Sequence, residues 1–278
     1  ITSITAWNDY NYEVAQDPDR SQLDVLTLVN DQFSGDGFSQ ELRFASEAGD
    51  NIDYMVGLFY YEQTTKRGGN DAYVIIGDDF LSLATQSGFL PVPAPLIAAS
   101  GDNLVIDYKQ DSETFAVFSQ ATWHIGDIWR VTGGLRWTDE QKQSDLFSQT
   151  NSTAQGIGGT TFLDSVSTPI DTTLHRSTDN VDWLLRAAMD ISHDTMIFAS
   201  AATGTKSGGF QTVNGAPDER EFDDEDTLTY ELGVKSTLLD ARLRANASAF
   251  YSEIDDFQAQ RQLPSGVGTF VSNEATVE

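Results

Sequence analysis

Apolar and polar residues alternate with a period of two through much of this chain, most clearly between positions 196 and 262. At 228–235, Leu228, Tyr230, Leu232 and Val234 fall on one side, and Thr229, Glu231 and Lys235 on the other. Such a period puts successive side chains on opposite faces of an extended chain, so one face meets an apolar medium and the other a polar one. A second run of similar character covers 243–258, after a short turn at Leu239-Asp240-Ala241. The same rhythm predicts strands at 1–12, 38–45, 52–67, 108–125, 128–147, 179–192, 195–202 and 270–278. Short turns are expected at 47–51, at Gly126-Asp127 and at His193-Asp194, where Gly, Asp and Asn supply turn chemistry. Long polar connections are expected at 13–37, 68–107, 148–176 and 203–226, and a shorter one around Pro264-Ser265-Gly266.

Several strands assign their faces directly. Phe38, Gln40, Leu42 and Phe44 oppose Ser39, Glu41, Arg43 and Ala45. Phe115, Val117, Ala121, Trp123 and Ile125 share a face with Ser119. Val131, Gly133, Leu135 and Trp137 oppose Thr132, Gly134, Arg136 and Thr138; Trp183, Leu185, Ala187, Met189 and Ile191 oppose Asp182, Arg186 and Asp190. The 52–67 run is apolar on both faces, and periodicity does not orient it. The sum is about ten strands in which long connections and short turns alternate. That rhythm belongs to an all-β, antiparallel up-and-down transmembrane β-barrel, whose turns are short on one side of the membrane and long on the other. A soluble sandwich has no reason to place every long connection at one end. About 9–11 residues cross a bilayer at a tilt, and several of these strands are longer. Trp123 and Trp129 flank one tight turn, as interfacial aromatics do.

Charge and composition narrow the function. The formal net charge is −27, from 43 acids against 16 bases. This argues against a nucleic-acid backbone as partner, which needs a positive footprint, and against peripheral docking on anionic headgroups. An acidic surface in contact with water is the first reading of that balance. The absence of cysteine excludes thiol chemistry, Cys-type zinc sites and disulfides. No apolar run of about 18 residues forms a transmembrane helix. Ile1 begins inside an alternating pattern without a leader segment, so a processed chain or a fragment is expected.

Candidate chemistry is sparse. His124, His175 and His193 lack metal-ligand spacing. Gly204-Thr205-Lys206-Ser207 is not a full phosphate loop, Gly156-Ile157-Gly158-Gly159 lacks a βαβ context, and no nucleophile elbow is present. The acidic run at 218–226 offers carboxylates to Ca²⁺ but not EF-hand spacing, and reads as a solvated loop. Asp78-Asp79 and Asp255-Asp256 are adjacent in sequence, so in a strand they point to opposite faces. The apolar segment 89–97, with three prolines, reads as a loop packed on itself or as a ligand-contacting loop tip. No catalytic residue, metal ligand or cofactor site is assigned, and an enzyme is not expected.

An ordered series of short motifs resembles the barrel of a TonB-dependent outer-membrane receptor. It comprises Phe38-Ser39-Gln40-Glu41-Leu42-Arg43, Gly57-Leu58-Phe59-Tyr60 and Val131-Thr132-Gly133-Gly134-Leu135-Arg136-Trp137-Thr138. It continues with Ser207-Gly208-Gly209-Phe210, Tyr230-Glu231-Leu232-Gly233-Val234-Lys235 and Asn273-Glu274-Ala275-Thr276-Val277-Glu278. The resemblance covers the whole chain, 1–278, and implies part of one larger, 22-stranded barrel domain, without its plug and its C-terminal strands. It implies a Gram-negative outer-membrane location, contact with outer-membrane lipid, and active uptake of a scarce nutrient: siderophore-iron, cobalamin, haem or an oligosaccharide. The TonB–ExbB–ExbD system would act through the N-terminal region that this sequence does not match. The motif residues Gly133, Gly134, Arg136, Gly208, Gly209, Phe210, Tyr230, Glu231, Gly233 and Lys235 are expected to be structural. Two other classes stay open at this point: a small outer-membrane barrel enzyme of protease type, and a soluble all-β glycan-binding module.

Overall fold

The computed structural model describes residues 1–16, 22–46, 51–80, 82–83, 98–167, 169–211, 220–262 and 269–277. In chain order its strands are β1 (Thr2–Gln16), β2 (Leu26–Ala45), β3 (Ile52–Ile76), β4 (Asn103–Ile125), β5 (Trp129–Asn151), β6 (Ile170–Ser192) and β7 (Thr195–Lys206). There follow β8 (Gly209–Phe210), β9 (Glu221–Phe222), β10 (Glu225–Leu238), β11 (Leu243–Asp255), β12 (Phe257–Gln262) and β13 (Thr269–Glu274); a short helix, α1 (Phe162–Val166), lies between β5 and β6. Nine strands make one open antiparallel sheet in the order β1-β2-β3-β4-β5-β6-β7-β10-β11. β8–β9 and β12–β13 are two-stranded ribbons.

Register shows why each strand alternates. Tyr54, Ala121, Gly133, Leu185, Ala201, Tyr230 and Tyr251 form one row across seven strands. The next row down is Ile52, Trp123, Val131, Ala187, Ala199, Leu232 and Ala249. Leu185 at 55% and Leu232 at 64% exposure lie open on this face, as side chains facing hydrocarbon do. Offset by one residue, the other face reads Arg43, Gly57, Phe118, Arg136 and Asp182 at the same depth. Charges at membrane depth require water or protein beside them, so this face lines the lumen. The orientation of β3 is thereby settled: Ile52, Tyr54, Val56, Leu58 and Tyr60 face lipid.

The apolar outer belt ends at the row Tyr60, Phe115, Asp139 and Asp179. Above it the outer rows are polar: Glu62, Glu113, Gln141, Ser177, then Thr64, Asp111, Gln143, His175. The strands nonetheless run on, and this corrects the long connections expected from sequence. Parts of 13–37, 68–107, 148–176 and 203–226 are strand, because water on both faces removes the alternation while ladder hydrogen bonds persist. The expected strand at 243–258 breaks at Asp256, which holds φ 52 in the left-handed region. β12 leaves the sheet there and pairs with β13. The Leu239-Asp240-Ala241 turn also uses left-handed residues, at φ 55, 53 and 66.

A small apolar core sits where loops fold inward over the rim. Leu104, Ile106, Tyr108 and Leu146 are buried on the lumenal side of β4 and β5; Val25, Ile76, Phe80, Ala98, Phe162 and Leu163 are buried in and beside the connections. The Phe80 and Phe162 rings lie 4.8 Å apart, which joins the β3–β4 and β5–β6 connections. Asp102 accepts bonds from Ala99 N at 2.8 Å and Thr153 N at 2.7 Å and ties the same two loops. The proline-rich segment 89–97 lies outside the described residues.

Two outcomes follow. Leu185→Arg places a cation mid-belt on the lipid face and should cost about 2–4 kcal/mol, read by urea unfolding of the full-length receptor in bilayers. Ser200→Arg, lumenal and at similar depth, should cost far less. At α1, burial of the Asp164 carboxyl favours its neutral form, yet bonds from Thr150 Oγ1 and from Thr161 N and Oγ1 hold its pKa below the ordinary value. A depressed folded pKa stabilises above the unfolded value near ~3.9 and is lost as pH falls through the folded one. Amide exchange in 161–164 should therefore be slower in wild type than in Asp164→Asn at pH 6, and the two should converge as pH falls through the lowered folded pKa.

Candidate functional site

The lumenal face is the candidate site, and charge is what distinguishes it. Arg43, Arg67, Arg130, Arg136, Lys142, Arg176, Arg186, Lys206, Lys235 and Arg244 all take lumenal register, ten of the chain's 16 Lys and Arg. Among the described strand residues, seven acids share that face: Glu41, Asp53, Glu140, Asp182, Asp190, Glu225 and Glu231. The outer register carries Lys66 and Lys109 against Asp36, Glu62, Asp107, Asp111, Glu113, Asp139, Asp145, Asp171, Asp179 and further acids. A strongly acidic chain thus gathers most of its cations on the inner face of the sheet, ten against seven strand acids there, and leaves the outer face above the belt strongly acidic. Composition hides this, because strand parity sorts the charges.

Aromatic rings hold several lumenal cations in place. The Arg136 guanidinium lies 5.4 Å from the Phe59 ring centre and 5.8 Å from that of Phe118, with its Nε donating to Thr138 Oγ1 at 3.1 Å. Arg186 and Lys235 both lie over Phe198, at 4.5 and 5.5 Å. Each arrangement is worth about 0.5–2 kcal/mol, depending on desolvation. Glycine makes both possible. A Cβ on Gly57 would fall 2.2 Å from Phe118 Cζ, and one on Gly233 would fall 2.5 Å from Phe198 Cζ. The rings lie flat across their cross-strand glycines, and the cations lie over the rings.

Nearer the rim, the lumenal wall anchors an inward-folded segment. Lys142 Nζ contacts Glu140 at 2.7 Å and donates to Ser207 Oγ at 2.6 Å and Gly208 O at 2.7 Å. Gly208 N donates to Asp224 Oδ1 at 2.6 Å. Arg176, 9% exposed, meets Glu221 at 2.7 Å and Asp223 and Asp224 at 3.1 Å. Burial opposes the charge on Arg176, and the three carboxylates more than offset it, so its pKa is raised. Asn273 Nδ2 donates to Asp223 O and Asp256 O, and its Oδ1 accepts from Asp223 N. Gln258 donates from its backbone N to Glu225 and from its side chain to Asp223 O and Ser207 O. The acidic run expected to be solvated is therefore an anchor over its described part; Asp218 and Glu219 lie outside the described residues.

The motif residues separate by place. Gly208 and Gly209 belong to the rim knot, where a Cβ on Gly208 would fall 2.2 Å from Phe222 O and one on Gly209 3.0 Å from the Phe222 ring; Phe210 is buried beside them. Arg136, Glu231, Gly233 and Lys235 line the lumen; Gly134 does too, with room around it. Gly133 and Tyr230 face lipid. Sequence reading did not single out Lys142, Arg176 or Gln258; the only signal was parity with Arg136 and Glu231. His124 bonds Asp53 at 2.8 Å on the lumenal face, His193 sits in a turn, and His175 faces outward. Among the described residues no three His, Cys, Asp or Glu side chains are placed to hold a metal ion. Gly233→Ala should displace Phe198 and cost about 1–3 kcal/mol in urea unfolding of the full-length receptor. Combined with Phe198→Ala, its added cost should nearly vanish, the coupling expected of residues in contact.

Comparison with known proteins agrees with this geometry. The family description "TonB dependent receptor-like, beta-barrel" fits residues 2–277. The pesticin receptors of Yersinia enterocolitica and Yersinia pestis are 28% identical over 258 residues, covering 92% of this chain and 31% of theirs. The chain thus spans about a third of the length of the curated relatives it matches. Among solved structures, the ferric yersiniabactin uptake receptor FyuA of Yersinia pestis superposes with a TM-score of 0.69 at 20% identity, over 92% of this chain and 33% of that one. The siderophore receptor PiuA of Acinetobacter baumannii gives 0.58 at 20% identity, over 96% and 39%. The chain belongs to the TonB-dependent receptor family, as part of the wall of its outer-membrane β-barrel.

Proposed function

We propose that this wall belongs to a receptor that takes up a scarce nutrient across the outer membrane by TonB-coupled transport, and that the nutrient is an anionic ferric chelate. The charge separation across the wall carries this reading. A lumen with a cationic face raises the local concentration of anions and excludes cations, while the acidic outer collar faces away from the path. Neutral oligosaccharides gain nothing from that arrangement. Relatives support the class: FyuA is a ferric yersiniabactin uptake receptor, PiuA a siderophore receptor, and Fiu of E. coli a ferric-catecholate import receptor. In this reading the 1–278 chain is one part of a single barrel domain. The plug, the remaining strands and the contact with the TonB–ExbB–ExbD system reside in the rest of the parent receptor.

The test is uptake by cells lacking the parent gene. Radio-iron accumulation from an anionic ferric chelate should fall to background, and loss of TonB alone should do the same. Unchanged iron uptake with lost growth on an oligosaccharide, cobalamin or haem would replace the cargo. Uptake that survives loss of TonB would remove the coupling.

A further inference from the structure

β6 lies inside the nine-stranded sheet, yet its upper half is paired on one side only. Its ladder with β5 runs on to Ser148↔Ile170, whereas its ladder with β7 stops at Leu184↔Ala202. The next rung is already a substitute. Trp183 N donates to the Thr203 side chain at 2.9 Å, while β7 leaves β6 and stays with β10 up to Lys206↔Glu225. Backbone N–H and C=O groups alternate in direction along a strand, and Trp183 N points to the β7 side. Asp171, Thr173, His175, Ser177 and Asp179 share its parity, so their N–H and C=O groups face the gap. Among the described residues, none of these backbone groups has a hydrogen-bond partner on that side.

Asp179 belongs to the row that closes the apolar belt. The open edge therefore starts where the bilayer stops requiring every backbone group to be paired. It continues for eight residues to Asp171, or ~26 Å at ~3.3 Å per residue. It lies on the side of the long connections, which in outer-membrane barrels is the outside of the cell. Edge strands are ordinarily blunted by a proline, a lysine or a bulge. Between Ile170 and Trp183 there is no proline and no lysine, and the β5 register shows no bulge. Arg176 does not guard the edge, because Glu221, Asp223 and Asp224 hold it on the lumenal side.

We propose that the upper edge of β6, Asp171–Asp179, is a strand-addition site for an extended, basic segment of a protein at the cell surface. The ladder to β5 holds the edge straight, and the added strand would take the rungs that β7 gives up. Charge selects the segment. The outward register of β6 and of its β5 partners carries Asp171, Asp179, Asp139 and Asp145 and neither Lys nor Arg. Alternate side chains of an added strand fall beside this row, where Lys or Arg gains and Asp or Glu is repelled. The site is separate from the lumen and independent of the cargo.

Binding of synthetic peptides to the purified full-length receptor tests it. The probe is a ten-residue peptide alternating Lys and Thr. Its controls are the same peptide N-methylated at alternate amides, which keeps charge and loses rungs, and a peptide alternating Glu and Thr. The Lys-Thr peptide should bind, N-methylation should weaken it at least about tenfold, and the Glu-Thr peptide should not bind. Ser177→Pro removes an N–H that faces the gap and leaves the β5 ladder whole, so it should weaken the Lys-Thr peptide at least about fivefold. Should that variant not assemble, the N-methylated peptide supplies the same comparison from the ligand side. Asp171→Asn with Asp179→Asn should weaken binding about threefold, with a loss that shrinks as salt rises. Amide exchange at Thr173, His175 and Ser177 should be fast in the free receptor and slow with the peptide. Slow exchange before peptide is added would overturn the site, since another part of the receptor would then fill it. Failure of the Lys-Thr peptide to bind, equal binding of its N-methylated form, or equal binding of the Glu-Thr peptide would overturn it as well.

Discussion

Every feature of this wall depends on one constraint: inside a bilayer, each backbone N–H and C=O must find a partner within the protein. Long antiparallel ladders meet that demand between neighbouring strands from β1 to β11, and at belt depth the outer edges of β1 and β11 are the two rows that this sheet leaves open. The ladder fixes register, and register fixes parity. From parity come a lipid-facing row such as Tyr54, Ala121, Gly133 and Leu185, and a lumenal row such as Arg43, Gly57, Phe118 and Arg136. The usual arrangement of apolar inside and polar outside is inverted over the belt, and among the described residues the largest group of buried apolar side chains lies at the rim, where loops fold back on β4 and β5.

The lumen's charged groups are held by two devices. Deep in the wall, glycine clears space for a ring and the ring carries a cation, as at Gly57, Phe118 and Arg136 or Gly233, Phe198 and Lys235. Ion pairs act at both depths: Arg43 meets Glu41 and Arg130 meets Asp190 within the wall, while at the rim Arg176 clasps three carboxylates and Lys142 reaches Ser207 and Gly208. The difference follows from chain geometry. The deep wall has only neighbouring strands to draw on, whereas the rim receives segments that fold back with their own acids. Ser207-Gly208 and Asn273, 65 residues apart in sequence, meet in one network because the wall supplies the cations between them.

Much of the architecture was legible in the chain. Alternation at 228–235 identified the lipid face of β10 correctly, since hydrocarbon on one side and water on the other write directly into residue type. The tight turns at Gly126-Asp127 and His193-Asp194 were legible for the same local reason. Above the belt that contrast disappears, so β3, β4 and β6 run far beyond where the pattern stops. The break at Asp256 was invisible too, because nothing in the alternation of 243–258 marks a left-handed residue.

Sequence by itself determined the class of fold, the membrane it suits and the faces of the crossing segments, because those follow from period and turn chemistry. Only the tertiary structure decided the electrostatics of the lumen. A net charge of −27 says nothing about which face a given Arg or Asp takes. Register does that, by aligning Arg43, Arg136, Arg186 and Lys235 on one side and Glu62, Asp111, Glu113 and Asp139 on the other. The open upper edge of β6 likewise exists because β7 leaves it above Leu184↔Ala202, a long-range property that no single stretch of sequence carries.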